Sequence, residues 1–189
     1  MNPVQYPGTI RSNTWQEADY LEKLEVGYRW YDAEVSRRAA VLVPLFPFGF
    51  GLSFTAYTYS TLRASATACS FRVTNDGDVA GVEIAQLYVG FPAAAGLPPK
   101  QLKGFERVEL APKETKSVTI TLSTEDLSIW SVTKHAWVVV SGDFQVFVGA
   151  SAADIRLKGA FSTAAAADGA AANAAVNAAN AAAEPAITG

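Results

Sequence analysis

Residues 69–75 read CSFRVTN, and they are followed by DGDVAG (76–81) and VEIAQLYVGF (82–91). In the first stretch Cys69, Phe71 and Val73 alternate with Ser70, Arg72 and Thr74. A period of two gives a strand one apolar and one polar face, so this is a half-buried strand. Asp76-Gly77 is the polar tip of a tight turn, and the run after it is rich in β-branched and aromatic residues. The same grammar continues on both sides. YTYSTLR (57–63) precedes it; QLKGFERVEL (101–110), SVTITLS (117–123), DLSIW (126–130), HAWVVV (135–140), DFQVFVG (143–149) and DIRLKGAF (154–161) follow. Gly104 is placed to kink its strand. Pro- and Gly-bearing segments such as FPAAAGLPPK (91–100) separate the runs. About eight short strands at this spacing, with no long helix between them, predict an all-β fold. The class is an antiparallel sandwich of immunoglobulin or fibronectin type III kind.

Outward from this block the composition changes twice. Residues 1–55 form an irregular, aromatic-rich N-terminal arm, residues 56–161 the sandwich, and residues 162–189 a low-complexity alanine-rich tail. In the tail Asn173, Asn177 and Asn180 share one face of a helix, but nothing there can anchor a core; a frayed helix or an extension is expected. Alanine also inflates the hydrophobic fraction of 50%.

The chain has 189 residues and a net charge of −3, with no basic stripe, so nucleic acid is not an expected partner. No window is apolar enough to span a membrane. MNPVQYPGTIRSNTWQEADY (1–20) lacks the apolar core of a signal peptide, and no N-x-[ST] acceptor occurs. Compartment is left open. With a single cysteine, Cys69, an intrachain disulfide is impossible.

Residues for chemistry are scarce. The one histidine, His135, opens a strand beside Ala136 and Trp137, and reads as a polar strand end. With no second histidine a zinc site is not expected. Neither G-x-S-x-G nor a P-loop occurs, and Gly49-Phe50-Gly51 has Phe54 where a dinucleotide fingerprint needs glycine. Paired carboxylates cleave glycosides. Glu17, Asp19, Glu22, Glu25 and Asp32 lie in the arm, and Asp76, Asp78, Glu83, Glu125, Asp126, Asp143 and Asp154 in the sandwich. Most of the second group stand at turns or strand ends, where such side chains cap their own backbone or meet solvent. No catalytic, metal or cofactor residue is assigned.

The arm is the unusual part. Tyr6, Trp15, Tyr20, Tyr28, Trp30, Tyr31, Phe46, Phe48, Phe50 and Phe54 crowd into it. PLFPFGFGLSF (44–54) sets four of these on a backbone broken by Pro44, Pro47, Gly49 and Gly51, which disfavour a helix. Such rings can stack on sugars, bury against a partner protein, or pack on the chain's own sandwich. Trp15, Tyr28, Trp30, Phe46, Phe48 and Phe50 are the candidate interface or sugar-stacking residues.

Taken together, EKLEVGYRWYDA (22–33), PLFPFGFGLSF (44–54), TNDGDVAGVEIAQLYVGFP (74–92), PPKQLKGFERVELAP (98–112) and DLSIW…HAWVVVSGDFQVFVGASAADIRL (126–157) resemble the C-terminal end of glycoside hydrolase family 3, mainly β-glucosidases. The resemblance covers residues 6–161. It implies a protein whose barrel supplies an Asp nucleophile, whose α/β domain supplies a Glu acid/base, and whose fibronectin type III-like domain follows. Neither the nucleophile motif nor the acid/base segment occurs here, so none of the family's catalytic residues is carried over. The implied role is a non-catalytic brace for the barrel and α/β domains, inactive alone, as a fragment or truncated gene product. A free-standing polysaccharide- or protein-binding module is the alternative. Relatives of this kind are often secreted. PLFPFGFGLSF corresponds to the strap joining the α/β domain to the sandwich, its Phe rings filling the seam. The family usually shows Glu-Gly before its Val-Gly-Tyr-Arg, whereas here Glu22 is followed by Lys23. Glu25 stands where an apolar residue is usual.

Overall fold

The computed structural model describes residues 22–37 and 44–163. Trp15, Tyr6, Tyr20, Glu17, Asp19 and the tail beyond Thr163 lie outside the described residues. Among the described residues nine strands form: β1 Tyr57–Ala64, β2 Ala68–Asn75, β3 Gly81–Gly90, β4 Gln101–Leu110, β5 Thr115–Thr121, β6 Ser128–Ser131, β7 Ala136–Val139, β8 Gly142–Gly149 and β9 Ile155–Thr163. They make a three-stranded sheet β1-β2-β5, a four-stranded sheet β4-β3-β8-β9, and a separate hairpin β6-β7. All pairings are antiparallel. The two larger sheets face each other as a β-sandwich.

The alternation of residues 69–75 is what the core requires. Cys69, Phe71 and Val73 are 0, 2 and 0% exposed. They meet Val118 and Ile120 of β5 on their own sheet, and Leu87, Val89, Phe144, Val146 and Val148 of the facing one. Phe144 and Phe161 stack at 5.2 Å across β8 and β9. Burial raises the Cys69 thiol pKa above its ordinary value.

The polar turn after β2 does more than reverse the chain. β2 and β3 belong to different sheets, so residues 76–80 carry the backbone from one layer to the other. Asn75, fully buried, holds that crossing. Its Oδ1 accepts from Gly77 N (3.0 Å) and Thr55 Oγ1 (2.5 Å), and its Nδ2 donates to Val79 O (2.8 Å) and Leu110 O (3.3 Å). A buried amide with both ends satisfied is stable where a half-satisfied one is costly. A second tie crosses the layers where Tyr59 of β1 donates to the buried Glu83 of β3 (2.7 Å).

The kink expected at Gly104 is a register shift. Leu87 pairs with Gly104 and Tyr88 with Leu102, leaving Lys103 as the extra residue of a bulge. A Cβ on Gly104 would lie 2.5 Å from Ile120 of the facing sheet, so glycine permits the close approach. His135 lies in the β6-β7 turn at φ 48°, exposed.

The arm is not irregular throughout. Tyr28–Arg37 forms α1, entered from Gly27 at φ 63°. Sequence reading gave no helix here, because ten residues with three aromatic rings carry little intrinsic helical preference.

Candidate functional site

The site is the seam where α1 and the strap 44–54 lie on the outer face of β3 and β4. Its sandwich half comes from β3, where Ala85–Gly90 is buried on both faces. Alternation would leave Gln86 and Tyr88 in solvent; instead they are 4 and 0% exposed. The near-continuous apolar run IAQLYVGF was the available signal, since a strand covered on both sides loses its period of two.

In α1, Tyr28 and Asp32 are four residues apart and therefore share a face. Tyr28 stacks on Phe48 of the strap (4.5 Å, 21°) and meets Tyr88 edge-on (5.9 Å, 76°). Its hydroxyl accepts from Leu102 N (2.8 Å) on β4, an edge strand of its sheet. Asp32 pairs with Lys100 at 2.5 Å, and the Lys100 ammonium lies 5.9 Å from the centre of the Tyr88 ring. Partial burial pushes the Asp32 carboxyl above its ordinary pKa, while the hydrogen bond and charge of Lys100 pull it back only in part. Burial likewise raises the Tyr28 and Tyr88 phenols.

The strap is fastened through its backbone. Gln86 Nε2 donates to Gly49 O (3.0 Å) and Ala150 O (2.6 Å), and its Oε1 accepts from Tyr88 Oη (2.6 Å). Ala152 N donates to Phe48 O (2.9 Å). Gly49 stands at φ 80°, and a Cβ there would lie 2.1 Å from Gln86 Oε1. Both conditions call for glycine.

Of the aromatic candidates, the structure brings Tyr28 and Phe48 together, with Tyr28 edge-on to Tyr88. Phe46 and Phe50 pair beside them at 5.4 Å. Trp30 turns away and meets Tyr31 at 5.1 Å. Sequence reading missed Gln86, Tyr88 and Lys100. Much of the apolar surface stays open: Phe46 is 68% exposed and Phe54 wholly so, with Leu45, Leu52, Ile84 and Phe105 exposed around them. Two hollows flank the strap. One of about 530 Å³ lies between α1 and Phe46, lined by Tyr31 and Val35. One of about 410 Å³ lies between Phe50, Leu52, Ile84 and Phe105. These exposed apolar side chains sit on a strap whose backbone is held by hydrogen bonds. Among the described residues, no cluster of three His, Cys, Asp or Glu side chains could hold a metal. What the arrangement offers is an adhesive surface on a rigid backing.

Residues 83–152 match a family model described as a fibronectin type III-like domain. Probable β-glucosidase L of Emericella nidulans is 40% identical, over 79% of this chain and 23% of that protein. Probable β-glucosidase D of Aspergillus niger is 36% identical, over 77% of this chain and 22% of that protein. The crystal structure of β-glucosidase D2-BGL from Chaetomella raphigera superposes with a TM-score of 0.74 at 34% identity, covering 85% of this chain and 25% of that one. That of β-D-glucoside glucohydrolase from Trichoderma reesei gives 0.74 at 31% identity, covering 86% and 25%. The chain thus spans about a quarter or less of the length of these relatives.

Proposed function

Given a chain that carries the non-catalytic fibronectin type III-like part of the glycoside hydrolase family 3 β-glucosidases, we propose that it braces the catalytic domains of such an enzyme. The observation that carries this reading is the strap. Its backbone is held to the sandwich by Gln86 and Ala152, while Leu52 and Phe54 are almost wholly exposed and Phe46, paired with Phe50, keeps two thirds of its surface open. A fixed backbone with exposed rings suits a surface that receives another domain without first having to order itself. Tyr28 and Phe48 serve the inner side of the seam, and Phe46 and Phe50 the outer side. The activity of the assembled protein is hydrolysis of β-glucosides, with the reacting carboxylates supplied by the other domains.

The test is a chimera. The aligned region of the Trichoderma reesei β-D-glucoside glucohydrolase is replaced by residues 22–163 of this chain. It should fold and hydrolyse a β-glucoside, and Phe46→Asp with Phe54→Asp should cost it thermal stability and activity together. The unfused chain should show no turnover. A chimera indifferent to both substitutions, or turnover by the unfused chain that Asp32→Asn abolishes, would overturn the reading.

A further inference from the structure

We propose that the groove beneath the β6-β7 hairpin is a binding site for a neutral oligosaccharide, distinct from the seam. Trp130 and Trp137 are register partners in this hairpin, with ring centres 5.7 Å apart and planes at 76°. They are 44 and 53% exposed, although the opposite face of the same hairpin and its continuation bury Ile129 and Val140 in the core at 6 and 0%. The core takes the inward residues, and the two large rings on the other face stay about half exposed. Both rings line a groove of about 830 Å³. Gln101, Lys103, Glu125 and Asp126 line the same groove. Lys23 and Arg29 of the arm also border it.

The lining chemistry selects the ligand. The charged lining carries both signs, Lys23, Arg29 and Lys103 with Glu125 and Asp126; burial lowers the Lys103 ammonium's pKa, and the nearby Asp126 and Glu125 act against that fall. Asp126 is oriented by Ser123, whose N and Oγ donate to its Oδ2 (2.8 and 2.7 Å). With both signs close together, the groove has no single-sign field to draw a polyanion. A pyranose has apolar C–H faces that lie on an indole and a rim of hydroxyls that both donate and accept. Two aromatic walls with a few placed amide, carboxylate and ammonium groups match that pattern. The choice of a β-glucan as first probe rests on the preceding reading; the site itself does not.

The full chain is titrated with cellotetraose while the indole N–H resonances are followed by NMR. The signals of Trp130 and Trp137, assigned by substitution, should shift saturably. Trp137→Ala should weaken binding about tenfold, the loss of one well-placed contact. Trp137→Phe should keep the hairpin and part of the affinity, and Trp30→Ala should leave binding unchanged. Saturable binding of maltotetraose but not cellotetraose would support the sugar site and replace the β-glucan with an α-glucan as its ligand. No movement of either indole with either sugar would overturn the proposal. So would unchanged affinity in Trp137→Ala, or tighter binding of the anionic tetragalacturonate.

Discussion

Lys23 stands at φ 49°, in the left-handed region, where the turn from Glu22 closes through Glu25 N to Glu22 O (2.8 Å). This is the position at which the resembling family usually has glycine. Left-handed backbone costs a side-chain-bearing residue about 1 kcal/mol or more. Glycine removes that cost but loses more backbone freedom on folding. Lys23→Gly should therefore stabilise the arm by a net of about 0.5 kcal/mol, seen as roughly twofold slower hydrogen exchange at the Trp30 amide, which bonds Gly27 O. Faster exchange would mean that the lysine side chain contributes more than the turn. The sequence comparison pointed to this residue; the dihedral angle supplies the reason it matters.

Among the elements, the strap and β3 are coupled through one side chain. Gln86 satisfies Gly49 O and Ala150 O together, so Gln86→Leu removes both bonds, and with them the acceptor of the buried Tyr88 hydroxyl, while keeping the bulk. Loss of bonds to part-buried carbonyls costs about 1–3 kcal/mol. Gly49→Ala strikes the same place from the other side, by clash and by its positive φ. Each change should release the strap, reported by loss of the Ala152 amide's exchange protection. The double variant should be little worse than the more damaging single one, since neighbours sharing one interaction do not add. Strict additivity would show that Gly49 and Gln86 act independently. The strap was legible as an extended, broken segment from its Pro and Gly spacing. Gln86 was not, because a polar residue in a strand reads as an outward one until something is laid over it. α1 was illegible for a related reason: its ten residues hold their helix by docking Tyr28 and Asp32, not by intrinsic preference.

For the whole molecule, the sandwich and the arm differ in how much partner each has. The core of the two sheets is closed on itself, whereas α1 and the strap have one covered side. Amides of residues 22–37 and 44–54 should exchange faster than those of residues 69–157, because their opening requires only local release and not separation of the sheets. Within the arm the Leu102-bonded Tyr28 region should be the slowest. Equal protection throughout would make the arm a full member of the folding unit and remove the ground for an absent partner. Such a partner would close the exposed rings of the strap, so joining the chain to family 3 catalytic domains should slow exchange in the arm and leave the sandwich core unchanged.

The sequence by itself determined the sandwich. Strand alternation is local, and a strand with one apolar face has few ways to hide it other than against a second sheet. CSFRVTN, SVTITLS and DFQVFVG thus announced their own burial. The sequence also marked the aromatic arm as a surface in need of cover. Tertiary structure alone decided how that cover is shared. The crossing between layers at Asn75, the two-sided burial of Gln86 and Tyr88, and the docking of α1 through Tyr28 and Asp32 all depend on residues far apart in the chain. Whether such a side chain is buried depends on the segment that comes to lie over it, and its immediate neighbours in sequence do not encode that.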